Sequence, residues 1–338
     1  MGVLTQADEI SQIAFGYMGS KALFAALESD VFTLLSSGPM TAEDIAGKTA
    51  LEPDRAETLL TALAGLGLVT VDDGRYANSP AAEAFLVKGA KYDFGDYLRL
   101  QVGRQMYPLI DQIEAALENR LPDDATASYA DWFSDPEQAR LYSESQHAGS
   151  LGPARQLARN IDLSDAGTLL DVGGGTGAFA ITLCKANLNL KATVVDYPNV
   201  AALGKEYVKE AGLDDRITYV EGDGREDIWP KNQDVVLMSY LFSGVPGDAH
   251  EGLIARAYDH LAPGGRLLIH DFVVDADRTG PKLAALWQLQ HTAFTPEARS
   301  LDSGWLAESL TKAGFHEVEV RPMIPEMTML ASGHRPAR

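Results

Sequence analysis

The sequence is poor in cysteine, in basic residues and in long apolar runs. Its single cysteine, Cys184, excludes an internal disulfide and a zinc site built from several cysteines. Its 28 lysines and arginines face 48 acids, and a net charge of −20 disfavours nucleic acid, whose phosphates attract basic residues. No apolar run is long enough to span a membrane, and the N-terminus lacks a secretory pattern. We therefore expect a cytoplasmic protein with neither a membrane nor a nucleic-acid partner.

The chain has enough apolar sequence for two domains, with 338 residues of which 46% are hydrophobic. Near the N-terminus, apolar residues recur at helical spacing. Thr41, followed by Asp44, predicts a helix start, and Pro53 and Gly67 bracket a further helix. The segment LVTVDDGRYAN predicts a β-hairpin, because its Asp-Gly pair favours a tight turn between β-rich flanks. Helices followed by such a hairpin predict a winged helix over residues 1–95.

Many winged helices bind DNA, but the charge pattern here opposes that function. Acids outnumber bases in residues 1–90, and the predicted recognition helix has Arg55 surrounded by the acids Glu52, Asp54 and Glu57. DNA binding requires the reverse balance. Packing or dimerisation is therefore favoured, and a DNA-binding regulator is the remote alternative.

The remaining sequence changes character near residue 161. Residues 96–160 predict a helical linker and substrate-pocket segment, with a looped break over residues 121–138. From 161 to 338, apolar strands alternate with helices, which predicts an α/β domain with a mostly parallel sheet.

The stretch TLLDVGGGTGAFAITL, residues 168–183, predicts a strand, a glycine-rich turn and a small-residue helix. Gly173, Gly175 and Ala178 fit the dinucleotide pattern G-x-G-x-x-G/A, which alone is a weak indication. Asp171 lies two residues before the first glycine and would repel a pyrophosphate. The same carboxylate would attract an ammonium or sulfonium group.

Two further acids end the next two predicted strands. Asp196 follows the glycines at the spacing that suits a hold on ribose hydroxyls, and Asp223 can accept a hydrogen bond from an adenine amino group. Each acid alone could simply cap the following helix. Three acids in register after one glycine turn predict S-adenosylmethionine as the ligand.

Several motifs resemble the winged-helix O-methyltransferase family of plants and bacteria. They are DVGGGTG, YVEGD and LAPGGRLLIHD, with GPMTAEDIAGKT and LLTALAGLGLV in the N-terminal region, and together they extend over nearly the whole chain. The resemblance implies an α/β fold: a Rossmann-like class I methyltransferase domain with an N-terminal all-helical winged-helix dimerisation domain, and hence a homodimer. We expect Arg225 across the adenine face, because Gly224 and Arg225 replace the family's bulky apolar residues. The implied cofactor contacts are Asp171, Gly173, Gly175, Asp196, Asp223, Gly224, Arg225 and Ser239.

The family's catalytic base is missing at its usual position. Members usually end the fourth strand with a histidine that deprotonates a phenol, and the stretch LMSYLFSGVPGDAH places Ser243 there instead. Transfer from a sulfonium has a neutral leaving group and mainly needs alignment and a dry site. A phenol benefits from a base, whereas a thioether has no proton to lose. The missing base therefore favours a thioether acceptor.

One branch of the family is similar to this chain in length, in its overall sequence pattern and in lacking the histidine base. It comprises the 4-methylthio-2-hydroxybutyrate S-methyltransferases of dimethylsulfoniopropionate synthesis. The resemblance implies S-methylation of that thioether to 4-dimethylsulfonio-2-hydroxybutyrate. The alternative is an O-methyltransferase of a phenolic or polyketide molecule that uses His147, His250 or His291 as a relocated base.

Family positions also imply a set of substrate-pocket residues. The substrate carboxylate would be held by Arg104, His147 or His291. Tyr17 and Met18 are expected either to pack or to reach the site of a partner subunit. The full set comprises Arg104, Tyr142, Gln146, His147, Phe242, His250, Trp287, Gln288 and His291.

Overall fold

The structure is a computed structural model that describes residues 3–121, 133–226, 229–295 and 297–337. The chain forms two compact units, residues 1–105 and residues 106–338. The boundary lies inside the segment 96–160, so the three-part division of the sequence stays an interpretation. The expected break over 121–138 lies mainly at residues 122–132, outside the described residues.

The first unit is helical apart from one hairpin. Thr41 begins a helix with a reciprocal cap, since its hydroxyl accepts from the Asp44 N–H at 3.1 Å and the Asp44 carboxylate accepts from the Thr41 N–H at 3.0 Å. Asp73 and Gly74 both have positive φ, as the tight turn requires. The hairpin confirms the turn that the Asp-Gly pair predicts and supplies the wing of the expected winged helix. The elements are α1 (Ala7–Glu28), α2 (Val31–Leu35), α3 (Ala42–Ala46), α4 (Pro53–Gly65), β1 (Val69–Asp72), β2 (Arg75–Asn78), α5 (Pro80–Phe85) and a π-helical segment (Tyr97–Met106).

The second unit contains a seven-stranded sheet flanked by helices. Its helices are α6 (Tyr107–Ile110), α7 (Ile113–Leu117), α8 (Pro136–Asn160), α9 (Ala178–Ala186), α10 (Pro198–Glu210), α11 (His250–His260), α12 (Lys282–Phe294) and α13 (Ser303–Lys312). Its strands are β3 (Thr168–Val172), β4 (Lys191–Asp196), β5 (Ile217–Glu221), β6 (Gln233–Ser239), β7 (Leu261–Asp271), β8 (His316–Ile324) and β9 (Thr328–His334).

The strand order is β5-β4-β3-β6-β7-β9-β8, and strands β3 to β7 run parallel. β9 is antiparallel to both of its neighbours, β7 and β8. This confirms the expected mostly parallel sheet. The central strands are buried on both faces, because helices cover both sides of the sheet. In the described ranges, no helix is both long and apolar enough to cross a membrane.

Candidate active site

A cavity of about 420 Å³ opens at the carboxyl ends of strands β3 to β6. Its walls are the glycine-rich turn after β3, the ends of β4 and β5, one face of α8, the turn after β6 and the segment that follows α12. In open α/β sheets, ligands bind at this edge. The lining includes these residues expected from the sequence: Tyr142, Gln146, Asp171, Gly173, Gly175, Asp196, Asp223, Gly224, Arg225 and Ser239.

Asp171 is a fully buried acid in the cavity wall. Neither of its carboxylate oxygens has a hydrogen-bond partner of ordinary geometry among the described residues. Burial, together with the nearby charge of Asp196, raises the pKa of Asp171 to about 7, against the opposite effect of the backbone N–H of Ala180. An unpartnered buried carboxylate is costly, so this position favours a ligand that brings a positive charge.

Asp196 is held by backbone donors at the end of β4. Its carboxylate accepts from the N–H of Gly175 at 2.7 Å and from the N–H of Tyr197 at 2.8 Å. Burial raises the pKa of Asp196 to about 6, against the effect of these two hydrogen bonds. Asp196 therefore fixes the glycine turn as well as facing the cavity.

The glycines bring bare backbone to the cavity. Gly173 and Gly175 have φ of +65° and +59°, a conformation that favours glycine. A Cβ on Gly173 would lie 2.9 Å from the side chain of Leu241, and one on Gly224 would lie 2.9 Å from that of Val172. Side chains are therefore crowded out at Gly173 and Gly224, whereas Gly175 is required by its backbone conformation.

Asp223 already has partners in the free protein. Its carboxylate accepts from Nε of Arg225 at 3.0 Å, from the N–H of Arg225 at 2.8 Å and from the Tyr197 hydroxyl at 3.3 Å. Burial raises the pKa of Asp223, but the hydrogen bonds from Arg225 outweigh it and hold the pKa below its usual value. The guanidinium thus pairs with Asp223, whereas the sequence led us to expect it across the adenine face.

Ser239 at the end of β6 is tied to a buried histidine. Its hydroxyl lies 2.8 Å from Nδ1 of His270, and Nε2 of His270 lies 2.9 Å from the Thr328 hydroxyl. Burial lowers the pKa of His270 to about 3, so the ring is neutral and structural. Within the described ranges, no group of three or more His, Cys, Asp or Glu side chains is placed to hold a metal ion.

Helix α8 forms the wall opposite the glycine turn. Tyr142 and Gln146 face the cavity, as the resemblance implied, and so do Ser143 and Ser150, which sequence reasoning missed. Positions 143, 146 and 150 share one helical face, and their spacing could have identified the serines. The carbonyl oxygen of the Gln146 side chain is buried and has no hydrogen-bond partner in the described part of the chain.

An aromatic wall adjoins the same helix. The ring centroid of Phe133 lies 5.3 Å from that of Tyr142 and 5.8 Å from that of Tyr197. All three residues line the cavity. Sequence reasoning missed Phe133 and Tyr197, because nothing local distinguishes them from core aromatics.

Three residues in and after the turn that follows β6 lie elsewhere than the sequence predicts. Phe242 and Ser243 lie in a short 3-10 turn and are buried, with the Ser243 N–H donating to Asp271 at 3.0 Å. His250 is fully buried beneath this turn, and its Nε2 is 2.8 Å from the carbonyl oxygen of Phe242. None of the three is among the described residues that line the cavity. Leu241, which precedes them, lines it instead.

His147 also faces away from the cavity. Its Nδ1 is 2.7 Å from the hydroxyl of Thr176 in the glycine turn, and its ring stacks on Tyr207 with centroids 4.0 Å apart. Burial lowers the pKa of His147 to about 4. The ring therefore supports the glycine turn as a neutral group and does not line the described cavity.

Three expected substrate residues of α12 support the sheet instead. The ring of Trp287 stacks on that of Phe272, with centroids 4.7 Å apart, and Nε2 of Gln288 donates to the carbonyl oxygen of Phe272 at 2.8 Å. Nδ1 of His291 lies 2.8 Å from the carbonyl oxygen of Trp287 in the same helix. None of them belongs to the described cavity lining, which takes Thr295 from just beyond the helix. The amphipathic pattern of α12 did not reveal which face was covered.

Arg104 belongs to the first unit and already has an acidic partner. Its Nε and one terminal nitrogen donate to the two carboxylate oxygens of Glu28 at 2.7 and 2.6 Å. This two-point pairing raises the pKa of Arg104 and lowers that of Glu28. Arg104 is therefore neutralised within its own unit and is not part of the described cavity lining.

Family models match both parts of the chain. An O-methyltransferase dimerisation domain matches residues 11–88, and an O-methyltransferase domain matches residues 125–316. The chain is 33% identical over 310 residues to the 3-hydroxy-5-methyl-1-naphthoate 3-O-methyltransferase of Streptomyces sahachiroi, covering 91% of this chain and 89% of the relative. It is 32% identical to the N,N-dimethyltransferase OxyT of Streptomyces rimosus, covering 92% and 91%.

A solved structure with a similar fold is human N-acetylserotonin methyltransferase in complex with S-adenosylmethionine. The two superpose with a TM-score of 0.86 at 22% identity, over 99% of this chain and 100% of the human chain. At this identity the similarity concerns the fold.

Proposed function

We propose that this chain, which belongs to the O-methyltransferase family and is an S-adenosylmethionine-dependent methyltransferase, methylates the sulfur of a small thioether acid. The proposed acceptor is 4-methylthio-2-hydroxybutyrate, which would become 4-dimethylsulfonio-2-hydroxybutyrate.

The cavity has the chemistry that S-adenosylmethionine requires. The buried, unpartnered carboxylate of Asp171 suits a positively charged methionine moiety, and Asp196 at the end of β4 suits ribose hydroxyls. The glycine turn offers backbone where a Cβ would collide with Leu241. When bound, S-adenosylmethionine supplies a methyl group on a positively charged sulfur. These residues of the chain orient it and keep water from it.

One observation carries the choice of acceptor: no histidine is among the described residues that line the cavity. His250 and His291 are buried and His147 is half-buried, and a ring nitrogen of each is already hydrogen-bonded within the protein. A thioether needs no base, because its sulfur forms the new bond to carbon as the old bond to sulfur breaks and no proton leaves. The chain then has only to align the acceptor and exclude water.

The charges of the cavity support the same acceptor. Asp171, Asp196, Asp223 and Glu297 line it, and the described cation in the lining, Arg225, is already paired with Asp223. A sulfonium product keeps the positive charge that the donor brought, so acids stabilise it.

The second candidate is O-methylation of a phenolic or polyketide molecule. It is favoured by the relatives, since the naphthoate 3-O-methyltransferase is 33% identical over nearly the full length. The N,N-dimethyltransferase at 32% identity indicates that the acceptor atom varies among relatives of this similarity. An O-methyltransferase would need a proton acceptor in place of the family's histidine.

The test is formation of S-adenosylhomocysteine from S-adenosylmethionine with each acceptor in turn. The purified protein is given 4-methylthio-2-hydroxybutyrate, a panel of hydroxynaphthoates and other phenols, or no acceptor. Turnover with the thioether, and a sulfonium product by mass spectrometry, is the expected result. Turnover with phenols alone would contradict the proposal and establish the second candidate.

A further inference from the structure

One face of α8 presents polar, uncharged groups to the cavity. Ser143, Gln146 and Ser150 lie at spacings of three and four residues, so their side chains share one side of the helix. Ser143 and Ser150 are buried. Hydrogen-bond donors and acceptors held at fixed positions on a helix can recognise a small polar molecule whose own donors and acceptors match them, without a charged partner.

The side-chain oxygen of Gln146 is the unusual atom of this face. It is buried and accepts no hydrogen bond within the described chain. A buried acceptor of this kind is destabilising until a donor reaches it. Gln146 also lines the cavity, and because the terminal torsion of a glutamine side chain is broad, rotation of its amide can bring this oxygen to a ligand that supplies the donor.

The charged groups in the described lining offer a substrate carboxylate no free cation. Asp171, Asp196 and Glu297 are carboxylates, and the guanidinium of Arg225 is bound to Asp223. A substrate carboxylate therefore depends on neutral donors, and the amide NH2 of Gln146 is one of them. An amide offers an acceptor and two donors side by side, which complements a carbon that bears both a hydrogen-bond donor and a carboxylate.

We infer that Gln146 determines acceptor specificity by accepting a hydrogen bond from a hydroxyl or amino group adjacent to the carboxylate of the acceptor. This inference rests on the proposed function and names the feature of the thioether acid that the site recognises. Acceptors whose corresponding carbon has an oxo group or only hydrogens leave the buried oxygen of Gln146 unpaired. Such acceptors are rejected for the same reason that sites built around a substrate hydroxyl reject its deoxy analogue.

The experiment compares acceptors that differ at one carbon. The acceptors are 4-methylthio-2-hydroxybutyrate, its 2-amino, 2-oxo and 2-deoxy counterparts, and the proteins are the wild type, Gln146→Leu and Gln146→Glu. Ser145→Ala is the matched control, because Ser145 is buried on the same helix, bonds to the Leu141 carbonyl oxygen and is outside the described cavity lining. Melting temperatures establish that each variant is folded.

In the wild type, we expect kcat/KM for the hydroxy acid to exceed that for the deoxy acid roughly 10- to 100-fold. Gln146→Leu should reduce this ratio to within about threefold, mainly because kcat/KM for the hydroxy acid falls. Gln146→Glu keeps an acceptor oxygen and should preserve more of the ratio. The 2-amino acid tests which donor Gln146 recognises. Equal kcat/KM for the 2-hydroxy and 2-amino acids would mean that either donor suffices, whereas a higher kcat/KM for the 2-hydroxy acid would mean that the hydroxyl is the group recognised.

Binding of S-adenosylhomocysteine distinguishes acceptor recognition from cofactor binding. Its Kd should be unchanged in Gln146→Leu. A weakened Kd, or a hydroxy-to-deoxy ratio that Gln146→Leu leaves intact, would overturn the inference. If the wild type turned over phenols alone, the proposed function would fail separately, and equilibrium binding of the hydroxy and deoxy acids with S-adenosylhomocysteine present would still decide the role of Gln146.

Discussion

Among single residues, the buried acid Asp171 is the distinctive group of this site. Its carboxylate has no hydrogen-bond partner of ordinary geometry in the described chain, and burial raises its pKa to about 7. The folded state therefore holds this proton more tightly than the unfolded chain does. The corresponding stability is fully present below the ordinary pKa of an aspartate and is lost as the pH rises towards about 7.

Ionisation of Asp171 should couple to cofactor binding. A bound cation stabilises the carboxylate, so binding of S-adenosylmethionine should become tighter as the pH rises from about 5.5 to about 8. Calorimetric titration across this range measures the dependence. Asp171→Asn removes this titrating group, and its binding should be weaker and depend less on pH, with the remaining dependence due to Asp196, whose pKa burial raises to about 6. A wild-type affinity that does not change with pH would contradict the assignment.

Ser243 should be dispensable for the methyl transfer itself. Its side chain is buried beside Asp271 and outside the described cavity lining. Ser243→Ala should retain kcat within about threefold, since loss of a general base would cost roughly 100-fold or more. Steady-state kinetics at saturating cofactor measure this effect. A hundredfold loss would show that the hydroxyl acts in the reaction, contrary to the proposed mechanism.

At the scale of elements, close packing of helix on sheet positions the glycine turn. Tyr219 on β5 donates from its hydroxyl to the carbonyl oxygen of Gly175 at 3.2 Å. Its ring occupies the space that a side chain at Gly204 of α10 would need. Helix, strand and turn therefore meet at one tyrosine, and Gly204 is required by this contact.

Gly204→Ala should therefore destabilise the protein although alanine favours helices. Overpacking against Tyr219 should cost about 1–3 kcal/mol. Gly252→Ala is the matched control: Gly252 also lies inside a helix, but its Cβ would meet nothing within 4 Å, so it should gain up to about 1 kcal/mol. Chemical denaturation measures both. Adding Tyr219→Phe should recover part of the loss in Gly204→Ala, and equal effects of the two glycine substitutions would refute this packing argument.

Local sequence patterns predicted which helices, strands and turns form, but not which way their side chains point. The Thr41 cap, the Asp73-Gly74 turn and strands β3 to β9 were predictable, because capping, turn chemistry and apolar alternation are local. Gln146 and His147 are neighbours on α8, yet one faces the cavity and the other faces Thr176. A rotation of about 100° per residue separates them, and only packing decides which is inside.

At the scale of the whole molecule, the dimerisation domain exposes an apolar helix. Ile10, Ile13 and Phe15 of α1 are each more than half exposed. A long exposed apolar surface on a helix is costly in water and is typical of an interface. We propose that α1 contributes to a homodimer, in agreement with the dimerisation-domain match over residues 11–88.

Charges placed on this helix should separate the subunits. The double variant Ile13→Glu and Phe15→Glu should elute as a monomer, because an interface does not bury two unpaired carboxylates without large cost. Light scattering coupled to gel filtration measures the mass. Leu188→Glu is the control, since Leu188 is exposed in the second unit, and it should leave the mass unchanged. A double variant with the mass of the wild type would exclude α1 from the interface.

Local sequence patterns were enough to predict the sheet, the glycine turn and the acids at the strand ends. These follow from local spacing and from the geometry of parallel strands, whose carboxyl ends meet at one edge. Long-range packing determines which candidates line the cavity. It buries Phe242 and Ser243 within one 3-10 turn and His250 beneath that turn, and it places Leu241 at the surface of the cavity. A turn or helix buries whichever face its neighbours cover, and those neighbours are distant in the chain.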